Sequence, residues 1–302
     1  MVKGLITMTK TLPFIGSGVA IVTPFDGNKT NYEEFGRIID FQIENHTDAI
    51  IVCGTTGEAS TMPDEEHLAA VEFAIKHTAG RVPVIAGTGS NETAHAVELS
   101  KKAEQLGADG LLQVTPYYNK TSTKGLIEHF KAVAEAVSIP VILYNVPSRT
   151  GMNIPIPVLK ELSKIPNIVG IKEASGNISY VAKVAAEVPD IYIYSGNDDM
   201  VVPVLSLGGK GVISVLANVM PEETHEMCQA FFDGNAEKAK DMQLKYLDLI
   251  NSLFIEVNPI PVKTAMNLMG FNAGNLRLPL TEMEEDHLET LKNSMRAMGL
   301  IK

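Results

Sequence analysis

Between about Gly18 and Leu216 the chain alternates short apolar runs with amphipathic stretches. The runs are Val19–Thr23, Ala49–Val52, Val82–Ala86, Gly110–Val114, Pro140–Tyr144, Ile168–Lys172, Ile191–Ser195 and Gly211–Val215. They consist mostly of uninterrupted Val, Ile, Leu and Ala, the pattern of strands buried on both faces of a parallel sheet. Helical signals lie between them. Asn31 stands three residues before Glu34 as a capping box, and Phe35, Ile38, Ile39 and Ile43 form one stripe. Pro63 opens a second helix with Leu68, Val71 and Ile75 inward, and residues 94–106, 126–136 and 181–188 read the same way.

Eight such units within roughly 200 residues predict an α/β fold, a (β/α)8 barrel at the short end of its size range. An open doubly wound sheet is the alternative, but no G-x-G-x-x-G follows the first run. Beyond Met220 the strand signals stop. Met242, Tyr246, Leu249, Ile250 and Leu253 make a helical stripe, and Thr281 with Glu284 reads as a capping box before Leu288, Leu291 and Met295. The expected division is a catalytic barrel over residues 1–230 and a helical domain over 231–302.

Composition sets limits on partners. With 25 basic and 36 acidic residues the formal charge is −11, which disfavours nucleic acid but leaves room for a small anion held by local cations. The two cysteines, Cys53 and Cys228, point to a reducing compartment rather than a disulfide framework. Residues 1–16 lack a signal-peptide pattern and no apolar stretch is long enough to span a bilayer, so a cytoplasmic location is expected.

Barrel sites lie at the C-terminal strand ends, which selects the candidates. Gly54-Thr55-Thr56-Gly57-Glu58 is either an anion-binding nest with two hydroxyls or a polar turn. Tyr117, Tyr118 and Tyr144 at strand ends are either packing residues or a proton relay. Arg149 is a solvated loop residue or a fork for a carboxylate. Lys172 ends an apolar run. It is either an amine made neutral and nucleophilic by burial, or a charged group in water or paired with Glu173. Asp198 and Asp199 could cap the next helix. The histidines, His67, His77 and His95 among them, show no metal-ligand spacing, and Gly208-Gly209-Lys210-Gly211 is a turn rather than a P-loop.

A series of segments, in order along nearly the whole chain, resembles the dihydrodipicolinate synthase family of pyruvate-dependent aldolases. They are Thr-Pro-Phe at 23–25, Gly-Thr-Thr-Gly-Glu at 54–58, Ala-Gly-Thr-Gly at 86–89, Pro-Tyr-Tyr-Asn at 116–119, Tyr-Asn-Val-Pro-Ser-Arg-Thr-Gly at 144–151, Gly-Ile-Lys-Glu-Ala at 170–174, Ser-Gly-Asn-Asp at 195–198, Gly-Val-Ile-Ser-Val at 211–215 and Asn-Pro-Ile-Pro-Val-Lys at 258–263. The resemblance implies a barrel with a C-terminal helical domain, assembled as a homotetramer. It implies condensation of pyruvate with L-aspartate 4-semialdehyde in lysine and diaminopimelate biosynthesis. No metal or organic cofactor is implied, only a covalent pyruvate imine on Lys172. Tyr144 matches the proton donor and acceptor, and Thr55 and Tyr118 the relay, with Tyr118 reaching in from a neighbouring subunit. Thr56 and Ile213 match pyruvate-binding positions, Gly196 the loop beside the site, and Arg149 the receiver of the semialdehyde carboxylate. Arg149 separates this reading from N-acetylneuraminate lyases and sugar-acid aldolases. A keto-acid-binding barrel without turnover is the non-enzymatic rival. At the feedback site of lysine-inhibited members, His95 replaces an acidic residue and Asp64 a basic one, while Asn91 and Tyr117 match. Weak or absent lysine inhibition is therefore expected.

Overall fold

In the computed structural model, which describes residues 10–302, eight parallel strands close a barrel. They are β1 (Gly16–Ala20), β2 (Ala49–Val52), β3 (Val84–Gly87), β4 (Gly110–Val114), β5 (Val141–Asn145), β6 (Ile168–Glu173), β7 (Tyr192–Ser195) and β8 (Gly211–Ser214). Closure comes from β1, whose Gly18 pairs with Ala49 on one side and with Ile213 on the other. Residues 1–9, part of the stretch read for a signal peptide, lie outside the described residues.

The first strand begins three residues before the apolar run that predicts it, and for a steric reason. Gly16, Ser17 and Gly18 carry no hydrophobic signal, yet Gly16 and Gly211 sit so close that a Cβ on Gly211 would stand 1.9 Å from the Gly16 carbonyl oxygen. At the other end, Val22 leaves the sheet, its N–H donating to Asn218 Oδ1 at 3.0 Å.

Helices α1 (Tyr32–Glu44), α2 (Asp64–Thr78), α3 (Thr93–Leu106), α4 (Thr123–Glu135), α5 (Ile156–Leu162), α6 (Ile178–Glu187), α7 (Val201–Ser206) and α8 (Pro221–Phe232) follow the eight strands in turn. Asn31 caps α1 by accepting from Glu34 N–H, while the Glu34 carboxylate turns instead to Arg37 and the Asn272 N–H. The inner face of α2 is centred on His67, Ala70, Val71, Ala74 and Thr78, with Leu68 and Ile75 at its edges. Four further helices complete the chain: α9 (Ala236–Lys245), α10 (Leu247–Ser252), α11 (Ile260–Leu268) and α12 (Glu285–Ala297). The stripe from Met242 to Leu253 is buried as expected, although the helix breaks at Tyr246. The expected Thr281–Glu284 capping box does not form. Glu284 itself is the N-cap in an extended conformation and makes no side-chain cap bond. Glu285 and Asp286 in the first turn suit the helix dipole instead.

The core has two tiers. Inside the barrel lie Ala20, Ala49, Ile51, Ile85, Leu112, Ile142, Tyr144, Val169, Tyr194 and Ile213. Between barrel and helices lie the alternate strand residues, such as Val19, Ile50, Val52, Leu111, Leu143 and Ile171. Phe14 stacks on Tyr194 with ring centroids 4.6 Å apart and accepts the Tyr194 phenol proton on its carbonyl at 2.6 Å, plugging the end of the barrel where the strands begin. Among the described residues no helix is long and apolar enough to cross a membrane.

Gly211 has φ +147° and faces backbone, not a movable side chain. Gly211→Ala is expected to destabilise the fold by roughly 2 kcal/mol or more, combining a strained conformation with a main-chain clash. Denaturant unfolding followed by circular dichroism checks this; a midpoint equal to that of the unmutated chain would overturn it.

Candidate active site

The site is set by strand alternation after a register irregularity in β6, where Val141 pairs with Ile168 but Ile142 with Gly170. Ile171 packs outward, so Lys172 points to the barrel axis at the end of β6, level with Tyr144 on β5 and Tyr194 on β7. Lys172 is 6% exposed, and its Nζ lies 4.4 Å from the centroid of the Tyr144 ring. Burial lowers its pKa to about 8; the Asp198 carboxylate pulls it back up and the Arg149 guanidinium adds to the lowering. Lysine is therefore partly neutral near physiological pH. The alternative of a Lys172–Glu173 pair does not hold. The Glu173 carboxylate turns away, accepting from Asn145 Nδ2 at 2.7 Å and from the Ser175 N–H at 2.6 Å.

Tyr144 is nearly as buried, and burial raises its pKa; the Arg149 charge and the neighbouring Thr55 side chain act the other way. The phenol thus stays protonated at neutral pH and faces the site as a donor. Thr55 belongs to the turn after β2. That turn is closed by Glu58 N–H to the Thr55 carbonyl (3.1 Å) and tied from below by Thr23 Oγ1 to the Gly57 carbonyl (2.8 Å). None of the hydrogen bonds within the described residues uses the N–H groups of Thr55, Thr56 or Gly57. The turn consequently has donors to offer an anion, as an anion nest requires.

Arg149 sits on a single helical turn, Pro147–Thr150, directly after β5. Its NH2 group donates to the Asn258 carbonyl oxygen at 2.9 Å, and Asn258 Nδ2 donates to Thr56 Oγ1 at 3.0 Å. One asparagine from the C-terminal region thereby links the two groups best suited to carboxylates. Ile213 is wholly buried on the inner face of β8. Gly196 is tied to β6 by its N–H to the Glu173 carbonyl at 2.7 Å, and a Cβ there would stand 2.6 Å from Ala174 Cβ. Tyr118 is not brought into this group. It is 92% exposed, in the left-handed backbone region at φ +68°.

A cleft of about 460 Å³ is lined by Thr55, Tyr144 and Arg149 together with Asp64, His95 and Tyr117. Lys172 does not line it directly but lies behind the Tyr144 ring, 4.4 Å from its centroid. A shallower groove of about 710 Å³ between α1 and α2 holds none of the candidate residues. Cys53 lines the cleft, but burial raises its pKa far above neutral, leaving an inert thiol. In the cleft lining, His95 Nε2 lies 2.9 and 3.0 Å from the two Asp64 oxygens. A carboxylate is thus present in this part of the cleft, already engaged by the imidazole.

Three features escape a reading of the sequence alone. Asp198 does not cap a helix. Its buried carboxylate accepts from Ser214 Oγ and from the N–H groups of Val215 and Leu216, and burial raises its pKa. Asn258 bridges Thr56 and Arg149 from over a hundred residues away. Glu58 and Lys263 form a buried ion pair at 2.6 Å. Only the pairing of charged residues inside otherwise apolar segments hints at the last of these.

The fold and the cleft define a (β/α)8-barrel enzyme with a buried amine at the strand ends. Residues 13–298 match the Dihydrodipicolinate synthetase family, and the chain belongs to that family. It is 65% identical to the 4-hydroxy-tetrahydrodipicolinate synthase of Caldicellulosiruptor saccharolyticus over 288 residues, 95% of this chain and 98% of that one. The solved dihydrodipicolinate synthase of Aquifex aeolicus superposes with a TM-score of 0.93 at 45% identity, covering 95% of this chain and 99% of that one. A structure described as the first monomeric dihydrodipicolinate synthase variant matches with a TM-score of 0.93 at 41% identity over 96% and 98% of the two chains.

Competitive acylation followed by peptide mapping is expected to give Lys172 a reactivity midpoint near pH 8, where surface lysines titrate near 10.4. Because Arg149 lowers this value, Arg149→Met should move the midpoint upward. A midpoint indistinguishable from that of exposed lysines would contradict the buried-amine geometry.

Proposed function

We propose that this enzyme condenses pyruvate with L-aspartate 4-semialdehyde through an imine on Lys172, giving 4-hydroxy-tetrahydrodipicolinate for lysine and diaminopimelate biosynthesis. The observation that carries the reading is the buried Lys172 amine, with its lowered pKa, directly beside the Tyr144 phenol. Relatives over almost the full length are named for this synthase activity.

Each step has a resident group. Neutral Nζ adds to the pyruvate ketone, and the protonated Tyr144 phenol gives its proton to the departing hydroxyl, which leaves as water. The resulting iminium draws electrons from the pyruvate methyl group. Loss of a methyl proton yields an enamine, whose carbon bonds to the aldehyde carbon while the aldehyde oxygen takes up a proton. Attack of the substrate's own amine on the iminium carbon closes the ring and frees Lys172. The iminium is the electron sink, so the reading needs no metal or organic cofactor.

The free N–H groups of residues 55–57 and the Thr56 hydroxyl suit the pyruvate carboxylate, and Ile213 and Gly196 are taken as further pyruvate-site positions. Arg149 suits the semialdehyde carboxylate. A sugar-acid substrate is not favoured, since Arg149 occupies the cleft where a sugar acid would need neutral hydroxyl partners. Thr55 passes protons to and from Tyr144. Tyr118 is too exposed to act within its own chain, and its strained backbone supports a place in a subunit contact, completing the relay of a neighbour in a homotetramer. The reading includes a barrel of residues 1–230, a helical domain of 231–302 and a cytoplasmic location.

Borohydride reduction in the presence of pyruvate is expected to leave a stable adduct on the peptide containing Lys172, and Lys172→Ala to abolish both adduct and turnover. An adduct elsewhere would sink the mechanism. Arg149→Ala should raise KM for the semialdehyde by about tenfold or more while pyruvate capture persists, as expected for loss of one charge-assisted carboxylate contact.

Free lysine is expected to inhibit weakly, because the Asp64 carboxylate that could receive its ammonium group is held by His95. Strong inhibition at lysine concentrations below that of pyruvate in a steady-state assay would overturn this.

A further inference from the structure

We propose that the buried Glu58–Lys263 ion pair is a positioning device by which the C-terminal helical region holds the Thr55–Thr56 turn in its pyruvate-binding shape. The inference rests on the function proposed above and names residues that act through the turn without touching substrate.

The geometry is specific. Glu58 closes the turn in the left-handed backbone region, at φ +54°, a conformation that a non-glycine residue holds only when its surroundings impose it. Its side chain leaves the cleft and runs under the C-terminal region. There both oxygens are used: Oε1 receives Lys263 Nζ at 2.6 Å, and Oε2 the Arg277 N–H at 3.1 Å. Lys263 Nζ also donates to the Asn275 carbonyl at 2.8 Å and stands 4.1 Å from the centroid of the Phe25 ring, with the Arg277 guanidinium 3.8 Å from that centroid. Arg277 in turn grips Glu66 with two bonds of 2.7 Å.

Both side chains of the pair are 1% exposed. A pair this dry is a poor source of stability, because desolvation consumes most of the attraction and an apolar pair of equal volume would serve as well. What such a pair offers over an apolar contact is direction and a short fixed length. The segment leading into α11 supplies a second anchor to the same turn, through Asn258 Nδ2 on Thr56 Oγ1. Asn258 and Lys263 thus grip the turn at Thr56 and at Glu58, so its two free ends cannot rotate independently. The threonines are set relative to Lys172 by a part of the chain that supplies no reacting group.

The test is the double variant Glu58→Gln/Lys263→Met, which removes both charges while keeping side-chain volume and a hydrogen-bond acceptor for Arg277. Folding is checked by circular dichroism and oligomer size, and steady-state kinetics are run with each substrate varied. The folded variant is expected to show KM for pyruvate raised by about tenfold and kcat lowered as Thr55 loses its placing beside Tyr144, with KM for the semialdehyde changed less than about threefold. The pH midpoint of pyruvate capture by borohydride should stay where it is, since Lys172 itself is untouched. A folded variant with KM for pyruvate unchanged overturns the proposal, as does an equal loss on both substrates, the mark of a merely loosened fold. If the variant does not fold, the single variant Glu58→Gln takes its place with the same readouts, and failure of both to fold overturns positioning in favour of a folding role. An unmutated chain that neither captures nor turns over pyruvate sinks the proposed function instead, and the positioning role with it.

Discussion

Everything at the mouth of this barrel depends on keeping one amine out of water. A lysine whose pKa falls from 10.5 to about 8 resists protonation by roughly 3 kcal/mol relative to its solvated form. That cost is met by the surrounding fold, since Lys172 has to stand among Tyr144, Tyr194 and the closed ring of strands. Closure of the barrel through the glycine pair at β1 and β8 is therefore a requirement of the chemistry as well as of the sheet. An open sheet would let solvent reach the end of β6 from the side.

The same low polarity that frees the amine explains the state of its neighbours. It raises the Tyr144 phenol and the Asp198 carboxylate, so both hold their protons more firmly than in water. Asp198 nevertheless keeps three donors aimed at its oxygens, which favours the charged form and offsets part of the burial. A carboxylate so held places negative potential near Lys172, where a positive iminium would form. The acid, the amine and the phenol thus have matched environments, with each shift tracing first to burial and then to a named neighbour.

How much of this the sequence reveals differs between the strands and the site. Buried parallel strands write themselves as continuous apolar runs, so β2 and β4 coincide with their runs residue for residue. The beginning of β1 is invisible because small residues make it, chosen for closeness and not for hydrophobicity. Tyr144 is legible because the strand period fixes where it points, whereas Lys172 is legible only as a strand-end lysine. An irregularity before Gly170 puts Val169 and Ile171 on opposite faces, and an unbroken period would have turned Lys172 outward. Asn258 and Lys263 are not legible, because their partners are fixed by the return of the C-terminal chain across the barrel mouth, and the role of Asp198 is not, because its donors come from the end of the neighbouring strand β8. Thr281 and Glu284 show the converse: a local motif with the right spacing fails when the backbone at Glu284 stays extended.

The acidic surface and the anionic substrates are reconciled by distance. A formal charge of −11 repels a carboxylate only over the screening length, about 8 Å at physiological ionic strength. Inside the cleft the nearest charges decide, and Lys263 contributes little there because Glu58 neutralises it in place. Among the described residues lining the cleft, Arg149 is the one arginine or lysine. It is also held by Asn258, the residue that holds Thr56, so the spacing between the two groups proposed to receive carboxylates is set by one side chain and its carbonyl. On the proposed function, selectivity for a pair of small acids would follow from a distance built into the C-terminal region, and reactivity from burial in the barrel. The two requirements meet at Arg149, which Asn258 holds in place and whose charge also lowers the Lys172 pKa, so a change there alters both.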